Sequence, residues 1–311
     1  MRNGLNVSTL DNSPPTLSFA HGMHAAAAKR DAASRPTTVV IGASDRVEFR
    51  EATDLLREVT TMVAVPSVEA AVTQVTKGGF LPDFIVIAQS RPGEFAISQI
   101  DRLRRLVPVA RIVGLLGPWC EGEARTGKPW PGAVRIYWYH WLPQCSRAVA
   151  KLLDGACPSW GLPVTANDED RLLAASVQKP PARRGLITIA TWHAETGNAL
   201  ADACRACGYR TRWLRPDQRE AMPDATAALW VGGDMNDQES KELKRLADQL
   251  PGVPIIALLD FPRVESRARA RACGAVAAMA RPFQLEDLFW QLDRALGLPE
   301  TSYRRNGNAA A

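Results

Sequence analysis

The sequence predicts an α/β protein with two doubly wound, five-stranded parallel sheets in tandem. Short apolar runs alternate with amphipathic segments of about ten residues, as in a parallel sheet covered by helices on both faces. Right-handed crossovers would wind each sheet in both directions. The alternation occurs twice, and matching strand ends recur at offsets of 148, 144 and 143 residues: Ile41 and Ile189, Ala88 and Gly232, Leu116 and Leu259. We therefore expect one unit to be present in two copies.

The first half begins with the β-branched run TVVIG and continues with alternating helices and strands. Predicted strands cover residues 38–42, 84–88, 111–116 and 134–141, and predicted helices cover 46–59, 67–76, 99–106 and 144–153. Where a fourth helix belongs, residues 117–132 have the loop-like sequence GPWCEGEARTGKPWPG. Glycine and proline at this density favour turns over a helix.

The second half has a clearer alternation, because glycine or proline follows most of its helices. Predicted strands cover residues 186–190, 209–214, 227–231, 254–259 and 275–280. Predicted helices cover residues 195–206, 240–250, 264–273 and 285–296. Gly208, Pro251-Gly252 and Gly274 mark three of the helix ends.

These halves define the expected domain organisation of the 311-residue chain. Residues 37–154 and 185–298 form the two domains, and residues 155–184 form a connector with a short helix at 167–178. Residues 1–36 and 299–311 lack hydrophobic periodicity, so we expect two disordered tails.

The composition excludes several classes of protein. Hydrophobic residues make up 46% and charged residues 23% of the chain, which is typical of a globular protein. No apolar run approaches the roughly 20 residues of a membrane span, and no signal peptide is evident, so we expect a cytoplasmic protein. Six cysteines do not form a disulfide framework in so long a chain, and a net charge of +5 alone does not indicate nucleic-acid binding.

The run from Pro254 to Leu296, PIIALL followed by ARARACGAVAAMARPFQLEDLFWQL, resembles the end of a receiver domain of bacterial two-component response regulators. It is similar to the fourth strand, fourth helix, fifth strand and Lys-Pro turn of that family. PDFIVIA, at 82–88, resembles the third strand of the other copy. The resemblance implies a CheY-like, flavodoxin-like fold. It also implies an acceptor carboxylate, an acidic pair for Mg²⁺, a Ser/Thr and a lysine.

The positions that the resemblance assigns to this chemistry carry other side chains. The acceptor positions are Ala88 and Gly232. The other positions, in the first and second half respectively, are Gly42-Ala43 and Ala190-Thr191 for the acidic pair, Leu116 and Leu259 for Ser/Thr, and Tyr139 and Arg281 for lysine. We therefore expect no enzyme, no metal and no cofactor. We expect a regulatory or scaffolding protein whose two degenerate receivers contact other proteins.

Polar residues after the strands of the second half suggest alternatives. Asp234 lies two residues beyond the acceptor position and could take phosphate, although Asp before a helix is commonly a turn residue. Asp260 and Arg281 follow two strands and should meet at the carboxyl edge of the sheet, as a fixed lock or as a plain surface pair. His193 and Glu195 are helix-start residues or, with these aspartates, metal ligands.

Aromatic residues suggest an interaction surface. Trp119 and Trp130 flank the loop at 117–132, and they either anchor a protein interface or fill the space of a missing helix. Phe283 and Trp290 belong to the region that receivers commonly use to bind partners, as the resemblance implies. The halves could pair with each other across the last strand and helix, or the chain could form a homodimer.

Three further motifs favour ordinary structural explanations. The Cys204-x-x-Cys207 pair has no partner pair and precedes Gly208, so buried thiols are favoured over zinc or redox chemistry. GEARTGKP resembles a phosphate loop, but Pro129 replaces its hydroxyl. The arginines of 263–273, with Lys179, Arg183 and Arg184, favour a solvated face, while a nucleic-acid or small-ligand binder remains the second alternative.

Overall fold

A computed structural model describes residues 35–78, 81–155, 158–162, 166, 169–170, 183–218 and 224–298. The predicted C-terminal tail, all but the last two residues of the predicted N-terminal tail, and most of the helix predicted at 167–178 lie outside these residues. Within the described residues, no helix is both long enough and apolar enough to cross a bilayer.

The first half contains a five-stranded sheet and five helices. The elements are β1 (Thr37–Gly42), α1 (Arg50–Val59), β2 (Thr61–Val65), α2 (Val68–Gly78), β3 (Phe84–Gln89), α3 (Ile97–Leu106), β4 (Arg111–Leu116), α4 (Glu123–Thr126), β5 (Val134–Tyr137) and α5 (Trp141–Leu153). All strand pairs are parallel, and the strand order is β2-β1-β3-β4-β5. Buried residues such as Val40 and Ile41 alternate between two apolar layers, one on each face of the sheet.

The second half repeats this topology. Its elements are β6 (Leu186–Ala190), α6 (Ala194–Ala206), β7 (Arg210–Leu214), β8 (Ala225–Val231), α7 (Asp237–Gln249), β9 (Ile255–Asp260), α8 (Val264–Ala272), β10 (Ala277–Arg281) and α9 (Leu285–Ala295). The parallel strands lie in the order β7-β6-β8-β9-β10. In each half, the second strand of the chain is therefore at the edge, and the first lies between it and the third. This is the flavodoxin-like order, so the predicted fold class is confirmed for both halves.

Three local predictions were wrong. The strand predicted at 134–141 ends at Tyr137, and Trp138–His140 form a 3-10 turn that leads into α5. This aromatic run is continuously apolar because most of it is buried. Such a pattern does not distinguish a strand from a buried turn. Strand β2 was missed because its side chains are only partly buried. Helix α7 begins three residues before the predicted start, because Asn236 and Glu239 form a capping box.

Two described residues of the connector, Trp160 and Arg183, contact the first and the second half respectively. Trp160 is buried in the core of the first half, where its ring lies 5.7 Å from the ring of Phe84 and 5.5 Å from that of Trp141. Arg183 donates two hydrogen bonds to Asp293 of α9, at 2.7 and 2.6 Å. The connector is thus attached at both of its ends.

We expect Trp160→Ala to lower the free energy of unfolding by about 3–5 kcal/mol, because it empties a space between two aromatic rings. Urea denaturation followed by fluorescence measures the change. Trp119→Ala is the matched control: this side chain is 59% exposed, and its removal should cost at most about 1 kcal/mol. Equal costs for the two variants would contradict the core position of Trp160.

Candidate functional site

The carboxyl edge of the first sheet leaves no room for an acidic side chain next to Ala88. Gly42 is in register with Ala88, and its backbone has a φ of +103°. A Cβ atom at position 42 would lie 2.7 Å from the carbonyl oxygen of Ala88 and 3.1 Å from the ring of Phe95. A carboxylate at this position would be strained and would clash with the neighbouring strand.

Beside Ala88, a buried polar cluster closes the same edge. The side-chain amide of Gln89 donates to both carboxylate oxygens of Glu123, at 3.3 and 3.1 Å, and Glu123 also pairs with Arg135. Cys120 contacts Gln89, and burial raises the pKa of its thiol. The sequence did not indicate this cluster, because the glycines and prolines of residues 117–132 favour turns, whereas Glu123 in fact begins the short helix α4. Its buried charge is compensated by Arg135 rather than available for chemistry.

Gly232, the position that the resemblance assigns to the acceptor, is covered by a side chain of the preceding strand, β8. The ring of the buried Trp230 folds over Gly232, and a Cβ atom there would lie 2.1 Å from that ring. Glycine at this position is therefore a packing requirement. Any larger residue would have to displace Trp230, which is fully buried.

Arg281 binds directly at this position. Its guanidinium donates to the carbonyl oxygen of Gly232 at 2.6 Å and to a carboxylate oxygen of Asp260 at 2.9 Å. Arg281 and Asp260 are in register at the ends of β10 and β9, as parallel strands require. The structure therefore brings together Gly232, Asp260 and Arg281, with the arginine as the link between them.

Asp234 lies apart from this set. Its side chain is exposed, and its backbone oxygen accepts a hydrogen bond from Ser266 at 3.0 Å. Glu239 holds the loop between β8 and α7. Its carboxylate accepts hydrogen bonds from the backbone N–H groups of Gly233 at 2.6 Å and Asn236 at 3.0 Å. The carboxylate nearest to the end of β8 thus belongs to a helix cap, a role that the spacing of Asn236 and Glu239 could have indicated.

The metal-site alternative receives no support from the described residues. His193 precedes α6 and Glu195 lies in its first turn, and both side chains are exposed. Within the described ranges, no group of three His, Cys, Asp or Glu side chains lies close enough to hold a metal ion. Helix-start positions account for both residues.

The four aromatic residues predicted as an interaction surface differ in their exposure. Trp119 is exposed, whereas Trp130 is only 5% exposed and its indole N–H donates to the carbonyl oxygen of Phe95 at 3.0 Å. Phe283 packs against the core of the second half, and Trp290 is buried on α9. For Trp130 the interface interpretation was wrong, because its ring packs near Gly114, where a Cβ would approach it to 2.9 Å.

Two further motifs have structural roles. Gly122 and Gly127 flank the single turn of α4, Lys128 is exposed, and the next element is strand β5. A phosphate loop instead connects a strand to a long helix, so its geometry is missing here. Cys204 and Cys207 are buried, and burial raises the pKa of Cys204 to about 12. Such a thiol remains protonated and unreactive at neutral pH.

One arginine of the basic stretch at 263–273, Arg267, is buried against the first half of the chain, whereas Arg263, Arg269 and Arg271 are exposed. Arg267 of α8 pairs with Glu51 of α1 at 2.9 Å and lies 4.9 Å from the ring of Trp138, and Arg271 also pairs with Glu51. Burial alone raises the pKa of Glu51, but the two arginines outweigh burial and hold the pKa below its usual value. The prediction of a solvated basic face was therefore wrong for Arg267.

A second set of contacts joins the last helices of the two halves. Asp287 of α9 is fully buried and accepts hydrogen bonds from Arg147 and Gln144 of α5. Trp138–His140 contact β10 beside these helices. The face formed by α8, β10 and α9 is thus in contact with α1, α5 and the 3-10 turn of the first half.

Solved structures with a similar fold are mostly receiver domains. A pilus assembly-related protein of Burkholderia pseudomallei is 17% identical, with a TM-score of 0.32, over 36% of this chain and 89% of its own. A receiver protein of Pseudoalteromonas atlantica is 14% identical over 36% of this chain and 97% of its own, with a TM-score of 0.33. A receiver protein of Burkholderia phymatum is 20% identical over 37% of this chain and 97% of its own, with a TM-score of 0.30. No protein-family model and no curated protein matches the chain. The fold assignment rests on the strand order itself.

We expect Asp287→Ala to lower the free energy of unfolding by about 3–5 kcal/mol, because it leaves Arg147 partly buried without its carboxylate. Asp260→Ala is the matched control. The Asp260 side chain is 55% exposed, so the loss of its pair with Arg281 should cost about 1 kcal/mol or less. Chemical denaturation measures both, and a small effect of Asp287→Ala would contradict a structural role for the contact between α5 and α9.

The contact between the halves should weaken in mild acid. Burial lowers the pKa of His140, although Asp287 and the Pro282 carbonyl act in the opposite direction and Arg267 adds to the lowering. The folded protein therefore takes up this proton less readily than the unfolded chain does. The stability that depends on a neutral His140 is therefore fully present above the ordinary pKa of histidine. It is lost as the pH falls through the lower pKa of His140 in the folded protein.

We expect the urea midpoint to fall between about pH 7.5 and about pH 5.5, the range in which histidine gains its charge. In His140→Gln the fall should be smaller, while His193→Gln, which changes an exposed histidine, should keep it. An unchanged pH dependence in His140→Gln would show that the titrating group lies elsewhere.

Proposed function

We propose that this chain is a non-catalytic regulatory or scaffolding protein that acts through protein contacts in signal transduction. The observation that carries the proposal is the closure of Gly232, the position at which the resemblance places the acceptor carboxylate of the second half. Trp230 covers Gly232, and Arg281 binds the carbonyl of Gly232 together with Asp260. In this arrangement a side-chain cation takes the place of a contact that would depend on phosphate, so the edge of the sheet keeps one conformation.

The first half supports the same proposal by a different route. Gly42 and Ala88 approach too closely for a carboxylate at position 42, and the neighbouring Glu123 is neutralised by Arg135. The two halves thus close their carboxyl edges with different residues.

The pairing of the halves is the second part of the proposal. We propose that the contacts from Glu51 to Arg267 and from Arg147 to Asp287 hold the two halves together as one binding unit. Both contacts include a charged side chain with little exposure, which is stable only when its partner is present. In this unit, the face of α8, β10 and α9 serves the first half of the same chain, in what we propose is a cytoplasmic protein.

The proposal is tested with beryllofluoride, which mimics a phosphoryl group on a carboxylate, in the presence of Mg²⁺. Trp192 and Trp230 flank the carboxyl edge of the second half, so tryptophan fluorescence reports on its occupancy. We expect no saturable change at millimolar Mg²⁺, because Gly232 and Ala88 provide no carboxylate to coordinate the mimic. Circular dichroism confirms that the protein is folded under these conditions.

Asp234 provides the decisive control, since its carboxylate is exposed on the loop that follows β8. A saturable fluorescence change that disappears in Asp234→Ala and persists in Asp237→Ala would overturn the proposal. That result would identify the chain as an atypical receiver that still accepts phosphate. Asp237 is the matched control because it lies three residues away, at the start of α7, and is also exposed.

A further inference from the structure

The outer edge of β7 lies at the far end of the second sheet from β10. On its inner side, Arg210 N–H donates to the Gly185 carbonyl at 2.9 Å, and the Leu214 carbonyl accepts from Thr191 N–H at 3.1 Å. Backbone groups of alternate residues in a parallel strand point to opposite sides, so Thr211 and Trp213 direct theirs to the outer edge. Among the described residues, no strand pairs with that edge.

Trp213 on this strand is both half-exposed and fixed in place. Its side chain lies on the surface with 43% exposure, and its indole N–H donates to the Thr191 carbonyl at 3.2 Å. The ring packs so closely on α6 that a Cβ at Gly197 would lie 2.7 Å from it. A glycine inside a helix costs about 1 kcal/mol relative to alanine. Helix α6 therefore accommodates this ring at a cost in its own stability.

The two faces of the strand differ in chemistry. Successive side chains point to opposite faces, so Arg210 and Arg212 lie on one face and Trp213 on the other. Both arginines are exposed. Arg215, just beyond the strand, lies 5.1 Å from the ring of Trp192. The edge therefore presents cationic side chains on one face and an aromatic ring on the other.

We propose that the outer edge of β7 binds an extended peptide segment in which acidic and apolar residues alternate. The added strand would bond to the backbone of Thr211 and Trp213, its acidic side chains would lie beside Arg210, and its apolar side chains beside Trp213. In strand addition, backbone bonds provide affinity and alternate side chains provide specificity. This inference rests on the proposed function, because it names the class of protein partner.

Two simpler explanations account for less of this edge. Arginines on an edge strand prevent aggregation, but a fixed, half-exposed tryptophan on the same strand promotes association. Single-stranded nucleic acid also combines arginine with aromatic stacking. However, Arg215 already lies over the ring of Trp192, and Trp213 has one side packed near Gly197. Strand addition uses the backbone edge, the cationic side chains and the fixed ring together, whereas protection against aggregation does not account for the ring and nucleic-acid binding does not use the backbone edge.

The test uses the full chain and a fluorescein-labelled peptide of about eight alternating Glu and Val residues, the length of an ordinary strand. We expect saturable binding by fluorescence anisotropy. Trp213→Ala and Arg210→Glu should each weaken it about tenfold or more, as removal of an anchoring contact does. Trp119→Ala and Arg102→Glu, matched changes at exposed residues of the first half, should leave the affinity within about twofold.

Two control peptides separate strand addition from simple charge attraction. One has the same composition with all acidic residues in a single block, and the other is N-methylated at alternate residues so that it cannot donate backbone bonds. Both should bind much more weakly. Equal binding of the blocked peptide, or no binding of the alternating one, would overturn the inference.

Displacement of the peptide by oligothymidylate, with direct binding of the oligonucleotide lost in Arg210→Glu, would assign the edge to nucleic acid and also overturn the inference. The beryllofluoride titration is run on the same samples. A response to beryllofluoride with peptide binding intact contradicts the proposed function alone. Loss of peptide binding without a beryllofluoride response contradicts the inference alone.

Discussion

The buried carboxylate of Asp287 sets the strongest constraint on how the two halves are arranged. A charge without solvent is tolerated only when a partner neutralises it and hydrogen bonds satisfy its oxygens. Arg147 and Gln144 of α5 meet that requirement from the other half of the chain. Glu51 and Arg267 repeat the arrangement a short distance away, with Glu51 shared between two arginines. The face of α8, β10 and α9 is consequently occupied by the first half of the chain.

The carboxyl edges of both sheets follow from a related constraint, the close approach of backbones at the strand ends. Gly42 lies against the carbonyl of Ala88, and Gly232 lies under the ring of Trp230. Arg281 then supplies a donor for the carbonyl of Gly232 and a partner for Asp260. Steric closure and charge pairing therefore act together. A Cβ atom at position 42 or 232 would have to displace the atoms that now occupy this space.

The second sheet consequently has two different ends. Strand β10 lies beside the first half of the chain, whereas β7 has an outer edge with no partner among the described residues. At that end Trp213 is held by Thr191 and by the space above Gly197.

The sequence by itself determined the elements whose residues are uniformly buried or sharply capped. The apolar runs of β1, β3, β8 and β9, the repeat at a nearly constant offset, and the adjacency of Asp260 and Arg281 all follow from local pattern and from the rule for parallel strand ends. Only the tertiary structure decided the partners of the charged residues. Arg267 pairs with Glu51 across 216 positions, and Trp130 turns inward to bind Phe95. Periodicity reports the burial of a segment, but the partner that buries it is chosen by packing between distant segments.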